Sequence, residues 1–216
     1  MNIKVKITRD ENADFFNVSV GDIVELDFET YVATVVASEI GNSDLEACKA
    51  QAVASRTFAM RYIDGVISDS SKSAQAYRAI RHDTSKYPNA VAGTRMTVGE
   101  VLLFKNKLIT AVFSSNNGGT TVSSKERWGT NYAYLISQKD EWDDSTKRTG
   151  HGVGMSQRGI KNAAKLGVKY KDMLNFYYPG TTLAENYGKE EEKEDTVKVP
   201  KFLLNELARI IKEITK

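Results

Sequence analysis

Leu45-Glu46-Ala47-Cys48-Lys49-Ala50-Gln51-Ala52-Val53-Ala54-Ser55-Arg56-Thr57-Phe58-Ala59 is the stretch whose reading decides the fold. Ser43-Asp44-Leu45-Glu46 has the form of a capping box, which predicts a helix start there. The helix runs to about Tyr62, with Leu45, Cys48, Ala52, Ser55, Ala59 and Ile63 along one face. Its many alanines permit close approach of a neighbour, so it is expected to be the central buried helix. Immediately upstream, Val32, Val35, Val36 and Ile40 recur at helical spacing from about Asp27, and Gly41 is suited to end that helix.

Outward from this pair the texture changes. Residues 1–26 read as short strands, with Ile3, Val5 and Ile7 alternating and Phe16, Val18 and Val20 repeating the pattern before Gly21-Asp22. Val98 to Phe104 and Leu108 to Phe113, around Lys105-Asn106-Lys107, predict a hairpin. Ser114-Ser115-Asn116-Asn117-Gly118-Gly119 is a turn-forming loop. Helices are expected near Ser156 to Gly167 and Lys171 to Tyr178, the latter ended by Pro179-Gly180. The fold class is therefore α+β: a central pair of helices packed with antiparallel strands, and loop-rich lobes that form a cleft. One domain is expected over 1–184, a charged linker over 185–199, and an amphipathic helix over 200–216.

Composition narrows the function classes. Thirty Lys+Arg against 28 Asp+Glu argue against a dedicated nucleic-acid binder, which would show a basic excess. The one cysteine, Cys48, excludes an intramolecular disulfide and reads as a small buried side chain among alanines. His82 has Asp83 beside it and too few further ligands for zinc, so neither metal nor cofactor is expected. The N-terminus lacks the apolar core of a signal peptide, and no run reaches membrane-spanning length.

Candidate chemistry falls at two places. Glu39 ends an apolar helical run and faces the start of the next helix, a corner of the kind that opens onto a cleft. Walls such as Val35, Val36 and Ile40 would desolvate its carboxyl and keep it protonated, as a catalytic acid requires. The plain alternative is an exposed helix-terminal Glu. Gly150-His151-Gly152-Val153-Gly154-Met155-Ser156-Gln157-Arg158-Gly159 holds four glycines in ten residues, which lets a backbone come close to a ligand and makes His151 reachable. His151 reads equally as a structural hydrogen-bonding group. Lys49 and Arg56, seven residues apart, share a helix face and suit either surface ion pairs or ligand contacts. Trp128, Tyr132, Tyr134 and Trp142 offer faces for sugar rings or for core packing.

Taken in order, these segments resemble the stage II sporulation protein D family, which includes the amidase enhancers of cell walls. The resemblance rests on Tyr31 to Ile40 with Leu45 to Ala59, on Phe113 to Thr120, on Glu126-Arg127-Trp128-Gly129 and Asp140-Glu141-Trp142-Asp143, and on His151 to Gln157 followed by Phe176 to Thr181. It spans about 20–183. It implies a peptidoglycan lytic transglycosylase that cleaves the MurNAc–GlcNAc bond and leaves 1,6-anhydro-MurNAc ends, with Glu39 on the family's catalytic glutamate. Lys49, Arg56, Ser115, His151 and Gln157 would then bind substrate or orient Glu39. The zinc-site cysteines of some relatives are absent near His82, so no metal is carried over, and the membrane anchor of the sporulation relatives is not seen.

The partners implied are glycan strands, with an amidase or a larger assembly reached through the C-terminal helix. The site of action would be the cell wall, outside the cytoplasm, with a phage or mobile-element source left open. A rival reading is a non-catalytic wall binder that enhances a separate amidase. A third, a cysteine peptidase using Cys48 and His151, needs an exposed, activated thiolate.

Overall fold

A computed structural model describes residues 1–82 and 85–187. The expected 185–199 linker beyond residue 187, and the C-terminal helix expected over 200–216, lie outside the described residues, as does Asp83. The fold is mixed α+β, assembled from helices and several small sheets with no barrel.

Strand β1 (Asn2–Lys6) buries Ile3 and Val5 and exposes the alternate residues. The strand expected around Phe16 to Val20 is instead a helix, α1 (Asp10–Phe16), closed by Asn17 in the left-handed region at φ 54°. Asp10 and Glu11 in its first turn complement the helix dipole, and Val20 points to solvent. Strand β2 (Ile23–Asp27) then pairs antiparallel with β1.

Helix α2 (Phe28–Ile40) is capped by the Asp27 carboxylate, which accepts from Thr30 N–H at 2.9 Å, and it ends at Gly41 as predicted. Helix α3 (Leu45–Met60) follows without the predicted capping box. Ser43 Oγ donates to Ile40 C=O at 2.6 Å, while the Glu46 carboxylate accepts from Lys49 and from Tyr170 N–H. These partners, of which only Tyr170 is distant in sequence, outcompete the cap.

Helix α3 is the centre of the fold, as its alanines predict. It packs against α2 and α4 (Pro88–Met96), and against α6 (Gln157–Lys165) and α7 (Tyr170–Tyr177). The approach of α4 is close. A Cβ on Gly93 would lie 2.9 Å from Cys48 Cβ, so only glycine fits at that crossing. Cys48 is fully buried, as expected, and its thiol is pushed up to about 12, chiefly by desolvation. A buried, neutral thiol contradicts the cysteine peptidase reading.

Strand β3 (Val66–Ser68) joins the free edge of β1 in parallel. The hairpin appears as β4 (Val101–Phe104) and β5 (Lys107–Leu108), joined by Lys105 and Asn106 at φ 50° and 60°. A two-residue turn with both φ positive matches the right-handed strand twist. Ile109 N–H still donates to Leu102 C=O at 3.2 Å, and beyond it the chain leaves this ladder. Phe113–Ser114 forms β6, parallel to β7 (Met155–Ser156), and β8 (Thr182–Ala184) covers the other edge of β4. The all-antiparallel expectation is thus corrected for β1–β3 and β6–β7. Long excursions of chain separate the strands of each pair, as parallel pairing demands. A short helix α5 (Ser124–Trp128) crosses the loop-rich lobe.

Candidate functional site: a carboxyl group between two half-clefts

Glu39 lies one residue before the end of α2, half-buried, with both carboxyl oxygens engaged. Oε1 accepts from Ala76 N–H at 2.6 Å and Oε2 accepts from Gln157 Nε2 at 2.8 Å. Desolvation raises its pKa above the ordinary glutamate value, and these two hydrogen bonds oppose but do not cancel that effect. The desolvating walls differ from those the sequence suggested. Val35, Val36 and Ile40 belong to the core, and the cleft beside Glu39 is lined by Phe58, Val112 and Phe113.

Each partner of Glu39 is held by a separate device. Ala76 belongs to the segment after β3, which is pinned by the buried Asn12 side chain. Asn12 Nδ2 donates to Asp69 Oδ2 and to Tyr77 C=O, and its Oδ1 accepts from Ala79 N–H at 2.8 Å. Ser38 Oγ accepts from Arg78 N–H at 3.1 Å and ties the same segment to α2. Gln157 is the first residue of α6, and its position follows from the register of β6 with β7. The Ser114↔Ser156 pair places Ser115 beside Gln157.

That pairing needs the glycine run. Gly154 sits at φ 70°, and a Cβ there would fall 2.2 Å from Val112 C=O. Ser156 Oγ caps α6 by accepting from Gly159 N–H, and it donates to Asp143 Oδ2 at 2.7 Å. Asp143 also accepts from Asn117 N–H at 2.6 Å. Burial works against its charge, but the Asn117, Ser145 and Ser156 donors hold its pKa below the usual carboxylate range. Next to it, Asp140 accepts from Asn117 Nδ2 and from Tyr177 Oη. This buried network fixes the 114–119 loop against α6. Sequence reasoning missed Asn117, Asp140, Asp143 and Ser156 as supports for the site. The only available signal was that they fall inside motifs singled out for other reasons.

Two half-clefts meet at Glu39, Ser115 and Gln157. One, of about 430 Å³, carries the exposed Trp128, its ring centroid 5.2 Å from that of His151. The other, of about 420 Å³, runs along α6 past Arg158, Lys161 and Lys165. His151 Nδ1 accepts from Val153 N–H at 3.0 Å, so the neutral ring carries its proton on Nε2. Burial, with the Arg127 charge adding to it, holds the His151 pKa below the ordinary value against the pull of the Phe113 backbone.

The remaining sequence candidates are placed elsewhere. Arg56 is fully buried. Its Nη2 lies 2.7 Å from Glu29 Oε2, and it also donates to Thr94 C=O and Glu100 C=O. A guanidinium consumed by protein acceptors has no donor left for a ligand, which corrects its assignment as a substrate contact. Lys49 pairs with Glu46 at 2.7 Å over the Tyr170 ring and lines neither half-cleft. Seven-residue spacing put the two on one face of α3, and that face turns inward. The tryptophans and tyrosines also divide. Trp142 packs on Phe176, Tyr132 on Tyr134, and Trp128 alone of the four lines the cleft. His82 borders a separate cavity between α2 and α4. Among the described residues no cluster of His, Cys, Asp and Glu is suited to hold a metal ion. No described helix is long and apolar enough to cross a membrane.

A half-buried carboxyl group with a raised pKa, at the junction of an aromatic and a basic half-cleft, is suited to proton transfer on an extended polar ligand. The family model described as Stage II sporulation protein matches residues 17–104, a span containing α2, α3 and Glu39. The chain is 31% identical to the Stage II sporulation protein D of Bacillus amyloliquefaciens, across 79% of this chain and 78% of that protein. It is 24% identical to the Bacillus subtilis (strain 168) protein of the same name, across 76% of each. It is also 36% identical to the Amidase enhancer of Bacillus subtilis (strain 168), over half of this chain but 15% of that protein. The chain belongs to the stage II sporulation protein D family. These relatives lend no support to a phage origin.

Proposed function

We propose that the protein is a peptidoglycan lytic transglycosylase acting on glycan strands outside the cytoplasm, with Glu39 as its single acid–base group. The observation that carries this reading is the Glu39 carboxyl group itself, raised in pKa by burial and open to two half-clefts. The protonated acid delivers its proton to the glycosidic oxygen between MurNAc and GlcNAc. As the bond breaks, the resulting carboxylate accepts the proton of the MurNAc C6 hydroxyl, whose oxygen closes on C1. The product is a 1,6-anhydro end, and Glu39 is reprotonated by the same turnover. No water attacks, so the second carboxylate of hydrolytic glycosidases has no task.

Gln157 and Ala76 act on Glu39 rather than on the sugar. Their donors stabilise the carboxylate formed at proton transfer and hold the group in place. When Oε2 is protonated, rotation of the Gln157 amide lets its carbonyl oxygen accept instead. Ser115, at the junction, would meet sugar hydroxyl groups, and the Trp128 face in one half-cleft would meet a sugar ring. His151 braces the cleft wall through Val153 and Phe113.

The test is Glu39→Gln, which keeps the shape of the side chain but cannot deliver a proton. Cleavage of purified glycan strands should fall by about 10²–10⁴-fold with the melting temperature maintained. Retention of more than about a tenth of the wild-type rate would refute the assignment. The similarity to the Amidase enhancer favours one further reading, a wall binder that activates a separate amidase. That protein would release no glycan fragment alone and would raise the rate of an added amidase equally well with Glu39→Gln.

A further inference from the structure

The half-cleft along α6 contains positive charge that no acidic side chain among the described residues balances. Gln157, Lys161 and Lys165 are spaced four residues apart on α6 and so form a row on one face, each about 6 Å further along the axis. Gln157, at the head of this row, holds Glu39 Oε2. Arg158, on the same wall, is neutralised by Asp144, to which Asn162 also donates. Lys161 and Lys165 have no acidic partner among the described residues. Lys165 is exposed, whereas Lys161 is half-buried and lines the cleft. Desolvation holds the Lys161 pKa below the ordinary lysine value, and the Lys165 charge adds to this. The opposing pull of a Cys48 thiolate is absent at neutral pH, because that thiol titrates only at about 12.

A withdrawn ammonium that lines the same half-cleft as Glu39, with no acidic partner among the described residues, calls for an anion from the ligand. The wall of glycan and peptide offers one chemistry that fits, the carboxylate. We propose that Lys161 binds a carboxylate carried by the glycan strand and thereby makes the charge of the strand a determinant of how it seats beside Glu39. This inference rests on the glycan-cleft reading above. Two sources share the chemistry: the lactyl group of an unsubstituted MurNAc, and the carboxylates of an attached stem peptide. The ammonium donates to either. A charge-assisted hydrogen bond in a partly desolvated site discriminates by about tenfold or more against a neutral isostere.

The experiment uses the full chain carrying Glu39→Gln, so that strands bind without turnover, and reads affinity by titration calorimetry. Three ligands are compared: strands freed of stem peptides, the same strands with their lactyl carboxylates converted to methylamides, and strands that retain their peptides. The free-carboxylate strands should bind about tenfold more tightly than the methylamides. Adding Lys161→Met should collapse that ratio to within about twofold, whereas Lys161→Arg should keep most of it. Tighter binding of the peptide-bearing strands, lost with Lys161→Met, would assign the carboxylate to the peptide. Unchanged affinity on amidation with no tighter binding of the peptide-bearing strands, an undiminished ratio in Lys161→Met, or no binding of any strand would overturn the proposal. Lysine-dependent binding alongside a wild-type protein that cleaves nothing would leave this inference standing and remove the catalytic one.

Discussion

Arg56 and Glu39 lie on adjoining helices, both are withdrawn from solvent, and their surroundings could hardly differ more. Around Arg56 the protein supplies every acceptor: the two oxygens of Glu29, the carbonyls of Thr94 and Glu100, and the Thr97 hydroxyl. Around Glu39 it supplies two donors, and the remaining space is cleft. A buried charge with a full set of partners is a fastener between helices. A half-buried acid with a partial set, facing open space, has its protonated form favoured over that of an ordinary glutamate. The difference lies in what completes the coordination of each group.

The contrast is broken most severely at Arg56. Arg56→Met strands Glu29 and the backbone acceptors and should cost about 3–5 kcal/mol, towards the lower end because Glu29 is partly exposed. Chemical denaturation measures this. An effect below about 1 kcal/mol would mean that the pair is not the fastener described.

Next in size is Ser156→Ala, which removes both the α6 cap and the donor to Asp143, for about 1–2 kcal/mol of stability. It should also slow cleavage, because Gln157 loses its fixed position. A stability loss with unchanged kinetics would separate the network from the site.

Gln157→Leu sharpens the Glu39 side of the comparison. The Gln157 donor lowers the Glu39 pKa, so its removal should raise that pKa further. A general acid works below its pKa, and the alkaline limb of the pH–rate profile should therefore move to higher pH. An unmoved or acid-shifted limb would contradict the role given to Gln157.

The smallest effect concerns stability at Glu39. An acid whose pKa is raised on folding binds more protons in the native state, so stability falls as pH rises from the ordinary glutamate value through the folded one. Glu39→Gln removes that penalty. It should be slightly more stable than wild type at neutral pH, with the difference vanishing in acid, as thermal scans across pH would show. A mutant less stable at neutral pH would mean that the hydrogen bonds outweigh desolvation.

Much of the architecture was legible because it rests on periodicity. The burial of β1 follows its alternation, α2 begins and ends on its own cap residues, and the alanines of α3 declare a helix packed on several sides. What periodicity misread was local and had physical causes. Phe16-Val18-Val20 alternates like a strand, yet Phe16 closes a helix and Asn17 turns the chain. Ser43 and Glu46 have capping-box spacing, yet each finds a better partner elsewhere. At the site, the position of Glu39 at a helix end was readable, but its walls were not, because Phe58, Val112 and Phe113 arrive from separate segments. Lys161 had no signal at all. Its significance comes from the helix row that begins at Gln157 and from the lack of an acidic partner among the described residues.

The central claim, that Glu39 drives an intramolecular ring closure, is tested most directly by product identity. Defined glycan strands incubated with the purified protein should yield fragments ending in 1,6-anhydro-MurNAc by mass spectrometry, and Glu39→Gln should yield none. Fragments that carry the added mass of water at the new MurNAc end, or intact strands after prolonged incubation with folded wild-type protein, would contradict it.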